Sequence, residues 1–150
     1  VSEYFIVIIP KELTAAPPDP ANLLTVMQGM LPDADEITMD HAEVIRFHHC
    51  GGNFDEVRCP HCGCVIAVAT WHKMMDADYD QERDGFTMNG HEMACGHVVT
   101  LNDLDYRMPM GFACFSITAR NPGRAEFTVN ELGRIEQAMA CPVTIIHRHI

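Results

Sequence analysis

The chain has 150 residues, 47% of them hydrophobic, and carries 21 acidic against 10 basic side chains for a formal net charge of −11. That length fits one domain, or one domain with a small inserted module, and that apolar content fits a packed core rather than disorder. The charge argues against a nucleic-acid partner, since such proteins present a basic stripe and the Lys and Arg residues here are scattered.

Glu3–Pro10 is apolar almost throughout and ends in proline, which predicts a buried strand. Thr14–Pro20 holds three prolines and reads as a loop. Within it, Asp19-Pro20 supplies a capping side chain and a first-turn proline for a helix. Leu23, Met27, Met30 and Leu31 recur at helical spacing until Pro32 ends the run. Asp33–Asp40 reads as an acidic loop and Glu43–His48 as a half-buried strand. A short helix is expected around Thr70–Tyr79, followed by a second acidic loop, Asp76–Asp84. Phe112–Arg120 alternates, with Ala113, Phe115, Ile117 and Ala119 on one face, and Asn121-Pro122-Gly123 is a turn. Thr128 and Glu131 form a capping-box pattern, Phe127 and Leu132 are spaced for a hydrophobic staple, and Val129, Leu132, Ile135 and Met139 make an apolar stripe. Gly133 weakens that helix by about 1 kcal/mol relative to alanine. Pro142 opens a last strand, Val143–Ile150.

Strand–helix–strand at both ends predicts an α+β fold, a ferredoxin-like split β-α-β sandwich of two helices on an antiparallel sheet. The middle, at about 53–105, is then a zinc-ribbon-like insertion in a single domain. It reads as poor in apolar residues and therefore dependent on a metal for order, so that metal removal melts the insertion and leaves the outer sandwich.

The metal is suggested by Cys59-Pro60-His61-Cys62-Gly63-Cys64 and, after a long gap, Cys95-Gly96-His97. Two thiols two residues apart form a tight turn with both sulfurs on one ion, and the glycine after the second cysteine lets amides turn toward the thiolates. Cys59, Cys62, Cys95 and His97 are the expected ligands of a structural zinc, with Cys64, His91 and His61 as alternative ligands. A redox CxxC would sit at the start of a helix; here Gly63-Cys64 and a β-branched run follow. His41, His48, His49, His72, His147 and His149 read chiefly as solvated strand residues.

No nucleophile triad, phosphate-binding glycine loop or EF-hand pattern occurs in the sequence. Seven cysteines, an odd number, with no basic-then-apolar leader, predict a reducing, cytoplasmic setting. The longest apolar run, Phe5-Ile6-Val7-Ile8-Ile9, is too short to span a membrane. The expected function is non-enzymatic binding of another, basic protein, with an immunity- or antitoxin-like inhibitor of a basic toxin as one concrete form. The acidic segments Asp33–Asp40 and Asp76–Asp84 are the candidate contact surfaces. One alternative is a zinc-dependent hydrolase using Glu92 or a histidine as general base, though His91-Glu92-x-x-Cys95 is not the HExxH pattern. Zinc-ribbon nucleic-acid binding is the other, and it is disfavoured by the lack of basic residues around the cysteines.

Thr100-Leu101-Asn102-Asp103-Leu104-Asp105-Tyr106, Pro109-x-Gly111-Phe112 and Ala119-Arg120-Asn121-Pro122, with the CPHC knuckle and Cys141-Pro142, resemble a set of small uncharacterised bacterial proteins. The resemblance covers about two thirds of the chain, from the knuckle to the C-terminus. Those proteins carry a doubled cysteine before the second glycine, where this chain has Ala94-Cys95-Gly96. The resemblance implies a zinc ribbon in a small α/β scaffold and no established activity.

Overall fold

A computed structural model describes residues 2–150 as a mixed α+β fold. In chain order the elements are β1 (Tyr4–Pro10), α1 (Pro20–Met30), β2 (Glu36–His48), β3 (Val57–Arg58), β4 (Val65–Ile66), α2 (Val68–Asp78), β5 (Tyr79–Asp80), β6 (Gly85–Phe86), β7 (His91–Glu92), β8 (Val98–Val99), a 3-10 turn (Leu101–Asp103), β9 (Asp105–Tyr106), β10 (Gly111–Arg120), α3 (Val129–Met139) and β11 (Val143–His149). The long strands lie in the order β11-β1-β10-β2, each antiparallel to its neighbour, and β6 and β5 extend the sheet beyond β2. No helix among the described residues is long and apolar enough to cross a membrane.

The pleat of the sheet sorts its side chains into two cores. Ile6, Ile8, Phe115 and Ile117 pack against Leu23 and Met27 of α1 and Ile135 and Met139 of α3. Val7, Ile9, Phe112 and Ile146 face the other way and meet Val57, Ile66, Trp71, Met74, Leu101 and Tyr106 from the segment between β2 and β10. The molecule therefore has three layers: helices, sheet, inserted segment. This corrects the expectation of an apolar-poor insertion: Trp71 and Met74 share one face of α2, and the other core residues are scattered among two-residue strands and turns, so no long periodic signature marks them.

Local chemistry explains the elements. Asp19 accepts the Asn22 N–H at 3.2 Å and Pro20 opens α1, while at its end the Leu31 N–H closes on Met27 O at 2.9 Å before Pro32. The capping box at α3 forms as expected, with Glu131 N donating to Thr128 Oγ1 (3.1 Å) and Thr128 N to Glu131 Oε1 (2.9 Å). Val129 departs from the expected stripe: at the first helical position it points outward and is 87% exposed.

Arg124 adds a bidentate grip on Glu131 at 2.6 and 2.8 Å, and this bond, with the Thr128 N–H, holds the Glu131 carboxyl at about 2. A depressed carboxyl stabilises the folded state fully above its ordinary value near 4.5, and that stabilisation is lost as pH falls toward 2. Glu131→Gln should therefore flatten the acid limb of the stability–pH curve in that window, as read by urea unfolding. An unchanged acid limb would contradict the linkage.

The acidic segment after α1 forms a strand rather than the predicted loop from Glu36 onward. β10 supplies the partner, placing Arg120 opposite Glu36 and Thr118 opposite Thr38. The second acidic loop is likewise corrected: Asp76 and Asp78 end α2, and Tyr79–Phe86 forms the β5–β6 hairpin. His41 pairs with Phe115 and Arg46 with Ala113, so β2 spends extra residues against Cys114. That bulge turns the start of β10, and Ala113 joins the core under the inserted segment rather than the helix face expected from alternation.

The inserted segment is stitched to the far edge of the sheet at its start. Gly52 N donates to His149 O (2.8 Å), His149 N to Cys50 O (3.2 Å) and Asn53 Nδ2 to His147 O (2.9 Å). Gly51 is obligatory there, because its φ is +62° and a Cβ would stand 2.3 Å from His149 O.

Candidate metal centre

The two cysteine segments form two hairpin turns that meet. In the first, Cys59 N donates to Cys64 O and Gly63 N to Cys59 O, both at 3.0 Å. In the second, Met93 N donates to His97 O and Gly96 N to Met93 O, both at 2.8 Å. Gly63 (φ +73°) and Gly96 (φ +87°) each follow a cysteine in left-handed geometry, and neither would meet an atom within 4 Å of an added Cβ. Their role is conformational: the N–H of the next residue turns back onto the sulfur, Cys64 N–H onto Cys62 and His97 N–H onto Cys95.

Cys59, Cys62 and Cys95 place their sulfurs within 4.8 Å of one another, and among the described residues this is the one such group of metal-ligand atoms. Cys59 Sγ and Cys95 Sγ are 3.7 Å apart. That separation matches the edge of a tetrahedron, about 3.8 Å, that follows from metal–sulfur bonds of about 2.3 Å. It is far beyond a disulfide's roughly 2.05 Å, and all seven cysteines are free. The Cys59 thiol is held below its ordinary value by the N–H groups of Cys62 and His61. Cys62 and Cys95 receive the N–H groups of Cys64 and His97, but neighbouring thiols and burial outweigh them and push both thiols up. Three sulfurs this close favour one thiolate, and a divalent cation among them would deprotonate all three.

The remaining sequence-nominated donors lie around this cluster. His97 Nδ1 is 3.3 Å from Cys95 Sγ, and its ring stacks on His61 with centroids 4.5 Å apart. The Cys64 thiol is hydrogen-bonded with that of Cys62 and lies in the wall of a cavity of about 470 Å³ shared with Cys59, Cys62, Cys95, Met74 and Glu92. His91 is committed elsewhere, its Nε2 lying 3.2 Å from Asp78 Oδ1. His48 is buried with Nε2 3.2 Å from Ala113 O, and burial pushes its pKa down; it does not lie solvated as expected.

Sequence reasoning passed over Asp78 as one acid among several. Its side chain has no exposed surface and accepts N–H bonds from Thr87 (3.0 Å), Met88 (3.0 Å) and Asn89 (2.9 Å), with Thr87 Oγ1 at 3.1 Å. Burial pushes the carboxyl up, but the Met88 N–H, His91 and the other donors outweigh it and hold the group below the ordinary range. Asp78 thus ties the end of α2 to the strand leading into the second cysteine turn. Its partners are mostly main-chain amides, which carry no residue-type signal. No protein-family model, curated protein or solved structure matches the chain.

Proposed function

We propose that this chain is a non-enzymatic, zinc-stabilised module that binds another protein, in the concrete form of an acidic immunity- or antitoxin-like inhibitor of a basic toxin acting in the cytoplasm. The observation that carries the metal half is the cluster of three sulfurs within 4.8 Å of one another, with Cys59 and Cys95 at the spacing of a tetrahedron's edge; we assign the fourth position to His97, whose Nδ1 stands 3.3 Å from Cys95 Sγ. Soft thiolates with one imidazole suit zinc. The all-antiparallel order β11-β1-β10-β2, with α1 and α3 on one face, supports a ferredoxin-like split β-α-β frame. The two Cys-Gly turns support a zinc-ribbon-like insertion, and with it kinship to the small bacterial proteins that share the CPHC knuckle. The net charge of −11 supports a basic protein partner, drawn in by long-range steering.

Metal content of the purified protein tests the first half. Cys59→Ser, Cys62→Ser and Cys95→Ser should each abolish stoichiometric zinc, and His97→Ala should do the same while Cys64→Ser retains it. The opposite behaviour of the last two variants moves the fourth ligand to Cys64. The partner half is tested with a basic toxin encoded beside this chain's gene: equimolar protein should suppress its activity at low salt. Full toxin activity in the presence of excess protein would defeat that reading.

One observation favours a second reading, a zinc-dependent hydrolase. Glu92 shares the cavity wall with the three cysteines, where a general base for a metal-bound water would stand. Cobalt-substituted protein separates the two: a fourth position that exchanges with added azide supports the hydrolase, and an inert tetrahedral spectrum supports the structural site.

A further inference from the structure

Among the described residues, no strand pairs with the outer side of the first half of β2. β6 reaches β2 at Ile45, whereas Glu36–His41 pair with β10 alone. Open edges template the pairing of another strand, and proteins usually blunt them with charged side chains, lysine above all, or with proline, so that the charge present decides which strands are refused. Residues 33–43 contain no lysine, arginine or proline, and they carry Asp33, Asp35, Glu36, Asp40 and Glu43. Arg120 answers Glu36 at 3.9 Å and Asn121 donates to Asp35 at 2.8 Å. Asp33, Asp40 and Glu43 have no ion-pair partner among the described residues.

The edge also has two distinct faces. Ile37 and Met39 lie opposite Ala119 and Ile117 on the helix side of the sheet, with Met39 36% exposed. Glu36, Thr38 and Asp40 occupy the opposite face. An incoming strand would therefore meet carboxylates on one face and apolar surface on the other.

We propose that the Glu36–His41 edge of β2 receives an extended segment of a basic protein in which lysine or arginine alternates with apolar residues. Main-chain hydrogen bonds supply affinity, and the acidic face selects the charge. This rests on the reading of the chain as a binder of a basic protein and names where that partner docks.

The probe is a short acetylated peptide alternating lysine and valine, with its glutamate-for-lysine counterpart as control. Amide exchange on the zinc-loaded full chain should slow within residues 36–42 on adding the lysine peptide and stay unchanged with the glutamate peptide. Asp40→Lys should weaken binding about five- to tenfold at low salt, from one attraction removed and one repulsion added. Glu126→Lys, exposed beside Ile145 and His147 of β11 at the opposite edge of the sheet, should leave it unchanged. Protection elsewhere, equal loss in both variants, or protection that grows with protein concentration alone, the mark of a second copy on the edge, would each overturn the inference. Zinc content and toxin suppression are read separately, so a chain that suppresses a toxin with this edge unprotected sinks this inference alone.

Discussion

Chelating zinc from the purified protein should collapse its thermal stability through one cooperative transition rather than melt the inserted segment by itself. Structural zinc contributes about 10–16 kcal/mol in small zinc peptides, comparable to or larger than the roughly 5–15 kcal/mol net stability of a domain. The sequence alone suggests that the outer sandwich survives this loss. The shared core argues otherwise. Val7, Ile9, Phe112 and Ile146 of the sheet are covered by Trp71, Leu101 and Tyr106 of the insertion. Opening the cysteine turns therefore strips one face of the sheet. The single tryptophan, Trp71, stacks on Phe54 at 5.4 Å and donates to the Tyr106 hydroxyl at 3.3 Å, which makes it a native reporter for the inserted layer. Its fluorescence and the far-ultraviolet circular dichroism should shift together on adding chelator. Two separated transitions would contradict the three-layer account, and an unmoved midpoint would contradict the metal itself.

Replacing Asp78 should be the most damaging single change outside the cysteines, with Asp78→Ala costing about 3–5 kcal/mol. The substitution orphans the buried amides of Thr87, Met88 and Asn89 together with the His91 ring nitrogen. Asp78→Asn should recover little, since its amide nitrogen presents donors to donors. The carboxyl is depressed in the folded state, so its stabilisation is present above the unfolded value of about 3.9 and is lost as pH falls through the folded one. Wild type should therefore lose part of its advantage over Asp78→Asn in acid. Urea midpoints for both proteins across that range make the comparison, and a neutral-pH loss below about 1 kcal/mol would contradict the assignment.

The parts of the fold legible in the sequence are those whose chemistry is local. Asp19-Pro20, the Thr128–Glu131 box, the apolar run of β1 and the alternation of β10 announce themselves within one turn or one strand. The cysteine turns are equally legible, because Cys-Gly in left-handed geometry is a residue-type requirement at fixed spacing. Long-range features are not. The acidic stretch of β2 becomes a strand through β10, which is remote in the chain. Ala113 changes face through a bulge that no residue type marks. The Thr100–Tyr106 motif was readable as a pattern but not as a device. Asn102 Oδ1 accepts the Phe112 N–H at 3.1 Å and the Tyr106 hydroxyl donates to Leu101 O at 2.8 Å, so the motif pins the re-entry into the sheet.

Placing the inserted segment between β2 and β10 has a consequence for how fast the chain finds its structure. These two strands are sheet neighbours, yet residues 49–110 separate them, so their pairing closes a loop of about sixty residues. Such non-local pairing is slow. A metal that joins Cys59 and Cys62 to Cys95 early removes the span between them from that loop and shortens it by about half. The logarithmic cost of closure then falls by only about 0.6 kcal/mol. Zinc should accordingly quicken refolding by about threefold at most through chain connectivity, while its effect on the unfolding rate is far larger. The metal would act less as a guide to the native state than as a latch on it.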